Sequence, residues 1–174
     1  MAWAIAMNGK KVDVATLHKI SNDLSHWPGA RSMRRSVERA LVKSGNDSDL
    51  LFAFSASRPA SSEAIMALAL AQKAAGKTKA ARQTIAPLWQ KSVLERADEN
   101  KVLKQFGSVL TKSDHRARLE YLLAKRRLRA AQRIAGLAGA TRLVAARAAV
   151  ERKQKKASKA LAAVPAFQRN DANY

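Results

Sequence analysis

Acidic side chains at helical spacing are the first residues in this sequence that suit acid–base chemistry. Glu95 and Glu99 lie four residues apart, with Asp98 beside them. Two carboxylates on one helix face can divide the roles of general acid and general base. These acids also fall near the start of a predicted helix, where they offset the positive end of the helix dipole. We therefore interpret them as structural.

Histidine, cysteine and glycine patterns predict neither a metal site nor a nucleotide site. His18, His26 and His115 have no second ligand at metal-binding helical spacing, and we expect surface or capping roles for them. The Gly-Lys-Thr run at residues 76–78 lacks the upstream glycine of a phosphate-binding loop, so it is interpreted as a turn between helices. The chain has no cysteine. No nucleophile arrangement is recognisable either, and we predict a chain with no catalytic site, metal or cofactor.

Three tryptophans are candidates for stacking on sugars or nucleobases. They are Trp3, Trp27 and Trp89. A tryptophan at the end of a helix more often packs between helices, because its large ring is mostly apolar. We expect core packing for all three.

Arginine gives the strongest functional signal. The formal net charge is +20, from 33 Lys and Arg against 13 Asp and Glu, which favours polyanions such as nucleic acid, anionic lipid or acidic cell-wall polymer. Residues 115–159 hold 14 of these cations and only two acids, Glu120 and Glu151. The alternative is a solvated face that keeps an alanine-rich scaffold soluble. The candidate binding residues are Arg116, Arg118, Arg126, Arg127, Arg129, Arg133 and Arg147.

The elements that must position these side chains are predicted to be helices. Hydrophobic residues make up 47% of the chain, enough for a core, and many are alanine, the best helix former. Seven glycines and four prolines are too few for the turns of an all-β fold. We therefore predict an all-α fold, a superhelical array of short antiparallel helix pairs that forms one domain over residues 1–174.

Amphipathic spacing and capping residues set the predicted helix bounds. Ser61 or Ser62, and Thr111 or Ser113, are expected to cap helices, and Pro87 is expected to kink or end one. The helix over 28–43 is expected to bury Met33, Val37, Ala40 and Leu41. The predicted helices are 12–25, 28–43, a short one from a cap at Asp47 or Ser48 through Phe54, 63–75, 77–88, 95–110, 114–125, 128–138, 140–153 and 157–163.

An internal similarity supports a repeat architecture. Residues 71–82 resemble residues 121–132, since each segment has a helix, a short basic turn and an Ala-Ala pair that begins the next helix. Residues 152–161 form a weaker third copy. The spacing is irregular, which favours a degenerate, tetratricopeptide-like superhelix over a regular repeat protein.

The segment over residues 106–123 resembles a conserved block of the soluble lytic murein transglycosylases. The likeness continues through residues 130–133, 145–147 and 164–171, and upstream through 27–29, 34–35, 38–41, 67–71 and Gly76. In that family these blocks belong to the helical, ring-like U-domain, which precedes the catalytic domain. The family's catalytic Glu-Ser pair and Gly-Leu-Met-Gln motif do not occur in this sequence.

The resemblance therefore implies a non-catalytic scaffold, or a truncated transglycosylase, that holds peptidoglycan strands or a catalytic partner through a basic surface. It implies a periplasmic location. Residues 1–7 are apolar but lack the basic region of a signal peptide, so we expect a cytoplasmic chain if it is not exported. No apolar stretch reaches the length of a transmembrane helix.

Two other functions remain open from the sequence. The charge alone fits a helical repeat that binds nucleic acid or another polyanion, although no helix-turn-helix pattern or interleaved aromatic residues support it. A protein-interaction scaffold of the tetratricopeptide type, with a groove for a peptide, fits the helix pairs.

Overall fold

The structure, a computed structural model, describes residues 30–55, 57–171 and 174, and every regular element within them is a helix. The predicted helix 12–25 and the residues Trp3, Trp27, His18 and His26 lie outside the described residues. The all-α prediction is confirmed. The elements are α1 (Ala30–Ser44), α2 (Asp47–Ala53), α3 (Ser62–Ala74), α4 (Thr78–Lys91), α5 (Arg96–Phe106), α6 (Lys112–Ala124), α7 (Leu128–Ile134), α8 (Thr141–Glu151) and α9 (Ala157–Ala162), followed by a 3-10 turn at Ala166–Gln168.

The chain divides into two compact units, Met1–Ile85 and Ala86–Tyr174. In the first unit α1, α2 and α3 pack against one another, and in the second unit α6 to α9 pack in chain order. Within these two groups, helices that neighbour each other in sequence are therefore also neighbours in space. That residues 1–174 form a single domain stays a prediction.

The first unit has an apolar cluster between α1, α2 and α3, built on Val37, Leu41, Leu50, Ala53 and Ala71. Burial of Val37 and Leu41 was expected and is confirmed, whereas Ala40 is exposed. Glu38, not Ala40, completes the buried face of α1.

The Glu38 carboxylate ties α1 to the segment that leads into α3. Its two oxygens accept the N–H groups of Ala60 and Ser61, each at 2.7 Å, and Arg34 Nε lies 3.3 Å from Oε1. Arg34 also donates to the carbonyl of Arg58. Because these bonds join α1 to the residues just before α3, Glu38 fixes the position where α3 begins.

Two of the predicted caps are confirmed. Ser61 Oγ accepts the Ala64 N–H at 3.3 Å, and Thr111 forms a capping box with Asp114. The cap of α2 is Asn46, whose side chain accepts the Ser48 N–H, so the predicted cap was one residue or more too late.

Helix α4 continues through Pro87 to Lys91, and the prediction that a helix ends near Leu88 was wrong. Proline removes one N–H from the helix ladder. Ile85, Leu88 and Trp89 are buried on both sides of the proline, and their packing outweighs the missing hydrogen bond.

The three copies of the internal similarity share one turn geometry. Gly76, Arg126 and Lys153 each follow a helix in the left-handed region, with φ of 72°, 55° and 50°. In each turn this residue and the next donate N–H groups back to the helix, as in a Schellman motif. The bonds are Gly76 to Lys73, Lys77 to Gln72, Arg126 to Leu123, Arg127 to Leu122, Lys153 to Val150 and Gln154 to Ala149, at 2.8 to 3.0 Å.

Candidate functional site

Glu99 is the one predicted acid of residues 95–99 that lies in the core. Glu95 and Asp98 are exposed at the start of α5, whereas Glu99 is 1% exposed. Its Oε2 lies 2.8 Å from Arg118 Nη2, and its Oε1 lies 2.7 Å from Arg133 Nε. Glu99 therefore joins α5 to α6 and α7, which goes beyond the dipole role predicted for it.

Arg118 is wholly buried and caps the end of α4. Its Nη1 donates to the carbonyls of Trp89, at 2.7 Å, and Ser92, at 3.1 Å. Carbonyls at a helix C-terminus have no partner within the helix and carry partial negative charge, which a guanidinium offsets. Arg118 is 0% exposed, so its guanidinium is held within the core, and its role as a binding residue stays a prediction.

Trp89 and His115 complete this buried cluster. The Arg118 Cζ lies 4.1 Å from the Trp89 ring centroid, and the His115 ring meets Trp89 edge-on at 5.6 Å. Core packing of Trp89 is confirmed, but His115 is buried and not a surface residue as predicted. Burial lowers the pKa of His115. The Asp114 charge opposes this shift, and the Arg118 charge adds to it.

The Glu99 carboxylate is held in its ionised form. Burial by itself raises the pKa of Glu99, but the hydrogen bonds and charges of Arg133 and Arg118 outweigh burial and hold the pKa below its ordinary value. A catalytic general acid at neutral pH needs the opposite shift. The cluster is therefore assigned to the core. Within the described residues no three His, Cys, Asp or Glu side chains lie close enough to hold a metal ion.

The other six predicted arginines fall into two groups. Arg116 pairs with Glu120 and Asp171, Arg133 with Glu99, and Arg147 with Glu151. The second group is exposed and makes no ion pair within the part of the chain that the structure describes. It consists of Arg126, Arg127 and Arg129.

The exposed cations concentrate in two turns of the second unit. Helix α7 contacts both α6 and α8, and α8 contacts α9. Short connections between contacting helices reverse the chain direction, so we expect the α6–α7 and α8–α9 turns to lie at the same end of these helices. None of their seven cations pairs with a carboxylate among the described residues. We name this surface the basic turn edge; it consists of Lys125, Arg126, Arg127, Arg152, Lys153, Lys155 and Lys156, all exposed.

Sequence reasoning missed the lysines of the second turn, although a signal for them was present. The third repeat copy, residues 152–161, covers this turn, and its alignment with Arg126 would have placed Lys153 and its neighbours beside the first turn. The candidate binding residues chosen from the sequence were all arginines, so these lysines were not among them.

A cleft of about 380 Å³ opens at the other end of α6. Of the residues around it only Arg116 was predicted, because the walls come from three separate segments. Phe167 is 80% exposed there, and Gln168 Nε2 donates to the Gly139 carbonyl at 2.8 Å. The cleft is lined by Lys112, Ser113, Arg116, Ala138, Gly139, Phe167 and Gln168.

Comparison of the chain with known protein families, curated proteins and solved structures gives no match. The likeness to lytic transglycosylase U-domains therefore stays a prediction from the sequence. Among the described residues, no helix combines the length and apolar character needed to cross a membrane.

Proposed function

We propose that this chain is a non-catalytic helical scaffold that binds peptidoglycan strands along the basic turn edge. The observation that carries the proposal is the set of seven exposed cations, unpaired within the described residues, on two turns at one end of neighbouring helix pairs. Arginines that already hold carboxylates, such as Arg133, have less to offer a ligand.

The chemistry of the edge suits a polymer that carries carboxylates at intervals. The peptides of peptidoglycan end in free carboxylates, and guanidinium groups bind carboxylates through paired, charge-assisted hydrogen bonds. Lysine adds a flexible point charge. Two cation clusters on neighbouring helix pairs give two attachment points, so weak individual contacts add along one strand.

The sequence resemblance supports peptidoglycan over other polyanions. Blocks along most of the chain are similar to the U-domain of transglycosylases, which act on this polymer, while the catalytic motifs do not occur. In this proposal the chain acts in the periplasm.

The test is co-sedimentation with purified peptidoglycan sacculi at low salt. A K125Q/R127Q/K155Q variant removes three edge charges and leaves the left-handed positions Arg126 and Lys153 unchanged. At about 0.5 kcal/mol for each exposed charge contact, we expect binding to weaken about tenfold.

The matched control is R96Q/K101Q/K104Q, which removes three exposed cations of α5 and gives the same net charge. We expect it to weaken binding less than twofold. Equal losses in the two variants would show that net charge, not the edge, attracts the polymer.

Two further measurements bear on the class of function. Tight binding to duplex DNA with a steep salt dependence, and none to sacculi, would overturn the proposal in favour of a nucleic-acid-binding repeat. We expect no release of muropeptides from sacculi incubated with the chain; measurable turnover would contradict a non-catalytic scaffold.

A further inference from the structure

The cleft at the start of α6 has a chemistry distinct from that of the basic turn edge. The edge carries only cations, whereas the cleft is concave and combines two cations with an exposed aromatic ring. Its volume of about 380 Å³ lies within the range of small-molecule sites, which pair apolar walls with a few polar groups that orient the ligand.

Two cations of the cleft lie on one face of α6. Lys112 and Arg116 are four residues apart, so their side chains project over the same strip of the helix surface. Lys112 makes no hydrogen bond or ion pair with any described residue. Arg116 shares its guanidinium between Glu120 and Asp171.

The end of the Lys112 side chain lies against the backbone of Gly139. A Cβ atom at residue 139 would lie 2.6 Å from Lys112 Cε and 2.9 Å from its Nζ. A side chain at residue 139 would make the flexible end of Lys112 move aside, so glycine leaves room for the ammonium group beside the α7–α8 turn. The lysine is therefore laid against the wall of the cleft, where a ligand would meet it.

Asp171 shows that a carboxylate fits beside Arg116. This residue belongs to the turn after Ala166–Gln168, and its side chain pairs with the Arg116 guanidinium. A ligand carboxylate in the cleft would therefore compete with Asp171 for Arg116.

We infer that the cleft binds a carboxylate-bearing sugar. Lys112 and Arg116 hold the carboxylate, Phe167 packs against the apolar face of the ring, and Asp171 occupies Arg116 until the ligand arrives. The inference goes beyond the proposed function and concerns the free acidic sugar, because in intact peptidoglycan the lactyl carboxylate of N-acetylmuramic acid is joined to the peptide by an amide bond.

The test compares two sugars that differ by one acidic substituent. N-acetylmuramic acid carries a lactyl carboxylate, and N-acetylglucosamine has the same ring without it. In NMR titrations of the full chain we expect N-acetylmuramic acid to bind at least fivefold more tightly. Equal binding of the two sugars, or binding of neither, would overturn the inference.

Three single variants assign the residues. K112Q is expected to weaken binding of N-acetylmuramic acid at least fivefold, while K101Q, an exposed lysine of α5 outside the cleft, leaves it unchanged. D171N is expected to tighten binding about threefold because it removes the charge of one of the two carboxylates that pair with Arg116. Equal effects of K112Q and K101Q, or weaker binding by D171N, would contradict the proposed site.

The edge variant K125Q/R127Q/K155Q separates this inference from the proposed function. It is expected to lose sacculi and to keep N-acetylmuramic acid. Failure of the wild-type chain to bind sacculi counts against the proposed function alone, and failure to distinguish the two sugars counts against the cleft alone.

Discussion

Arg118 shows how a buried charge can be held in place. Its guanidinium reaches the Glu99 carboxylate, the Trp89 and Ser92 carbonyls and the Trp89 ring, although its Nε is buried without a partner among the described residues. Removing a charge from water is costly, and only close geometry on several sides offsets that cost. Loss of one partner therefore leaves the other charge in an unfavourable environment.

Substitution of Glu99 is expected to be severe. E99Q leaves Arg118 buried without its counter-charge, and we expect the free energy of unfolding to fall by about 3 kcal/mol. D98N changes an exposed acid in the same helical turn and is expected to cost about 0.5 kcal/mol or less. Urea denaturation followed by circular dichroism measures both, and equal stability of the two variants would contradict the role given to Glu99.

The same cluster predicts a loss of stability in acid that occurs in two stages. The pKa of folded His115 lies below its ordinary value of 6.5, so the unfolded chain takes up a proton first and the free energy of unfolding falls as the pH drops below about 6.5. The pKa of folded Glu99 lies below 4.5, so its contribution is complete above that pH and is lost as the pH falls through the folded value.

Unfolding in urea across this pH range tests both stages. H115Q removes a group that titrates, so it is expected to reduce the upper stage and to leave the lower one. An upper stage of unchanged size in H115Q would show that other groups cause it.

At the scale of the helices, the three Schellman turns differ in the residue at the left-handed position. Gly76 takes this conformation at no steric cost, whereas Arg126 and Lys153 each carry a Cβ that disfavours it. The strained positions lie in the basic turn edge, where a glycine would contribute no charge. Backbone strain is often found at functional surfaces, which fits the role proposed for this edge.

Stability and binding are therefore expected to change in opposite directions at these turns. R126G and K153G should each raise the free energy of unfolding by about 0.5 kcal/mol and weaken binding to sacculi. G76A should lower stability by about 1 kcal/mol through strain alone, because no atom lies within 4 Å of its added Cβ.

K125G is the control, since Lys125 precedes the turn with φ of −82° and gains nothing from glycine. We expect it to lower stability. A fall in stability for R126G, measured in the same urea series, would contradict the claim that the left-handed conformation of Arg126 is strained.

The sequence predicted the helices well where local signals act alone. Gly76 and Ser61 mark helix ends by residue type, and both positions are confirmed. Asn46 was missed because it is followed by Asp47 and Ser48. Asparagine, aspartate and serine are nearly equal as caps, so residue type alone does not show which of the three begins the helix. Helix α4 continues through Pro87 because Trp89 is buried, and this tertiary effect cannot be read from the local sequence.

The candidate site was predicted less completely than the fold. Arginine is rarely buried, and the partners of Arg118 lie 19 to 29 residues away, so nothing local indicated its position in the core. The cleft draws on the segments around Lys112, Gly139 and Phe167, and it exists only once the helices have packed.

At the scale of the whole molecule, the net charge of +20 acts on stability and on binding at once. Excess charge of one sign repels itself in the folded chain, and it also attracts polyanions. Salt screens exposed charges over about 10 Å at 0.1 M but screens the buried Glu99–Arg118 pair far less. Added salt should therefore relieve the repulsion while it leaves the buried pair in place.

We expect the melting temperature to rise by about 2–4 °C between 20 and 300 mM NaCl, equivalent to about 1 kcal/mol, while binding to sacculi falls over the same range. Thermal denaturation and co-sedimentation in matched buffers measure the two effects. The edge variant K125Q/R127Q/K155Q carries less repulsion, so its melting temperature should depend less on salt. A melting temperature that falls with salt would mean that exposed ion pairs such as Arg147–Glu151 stabilise the fold more than the excess charge destabilises it.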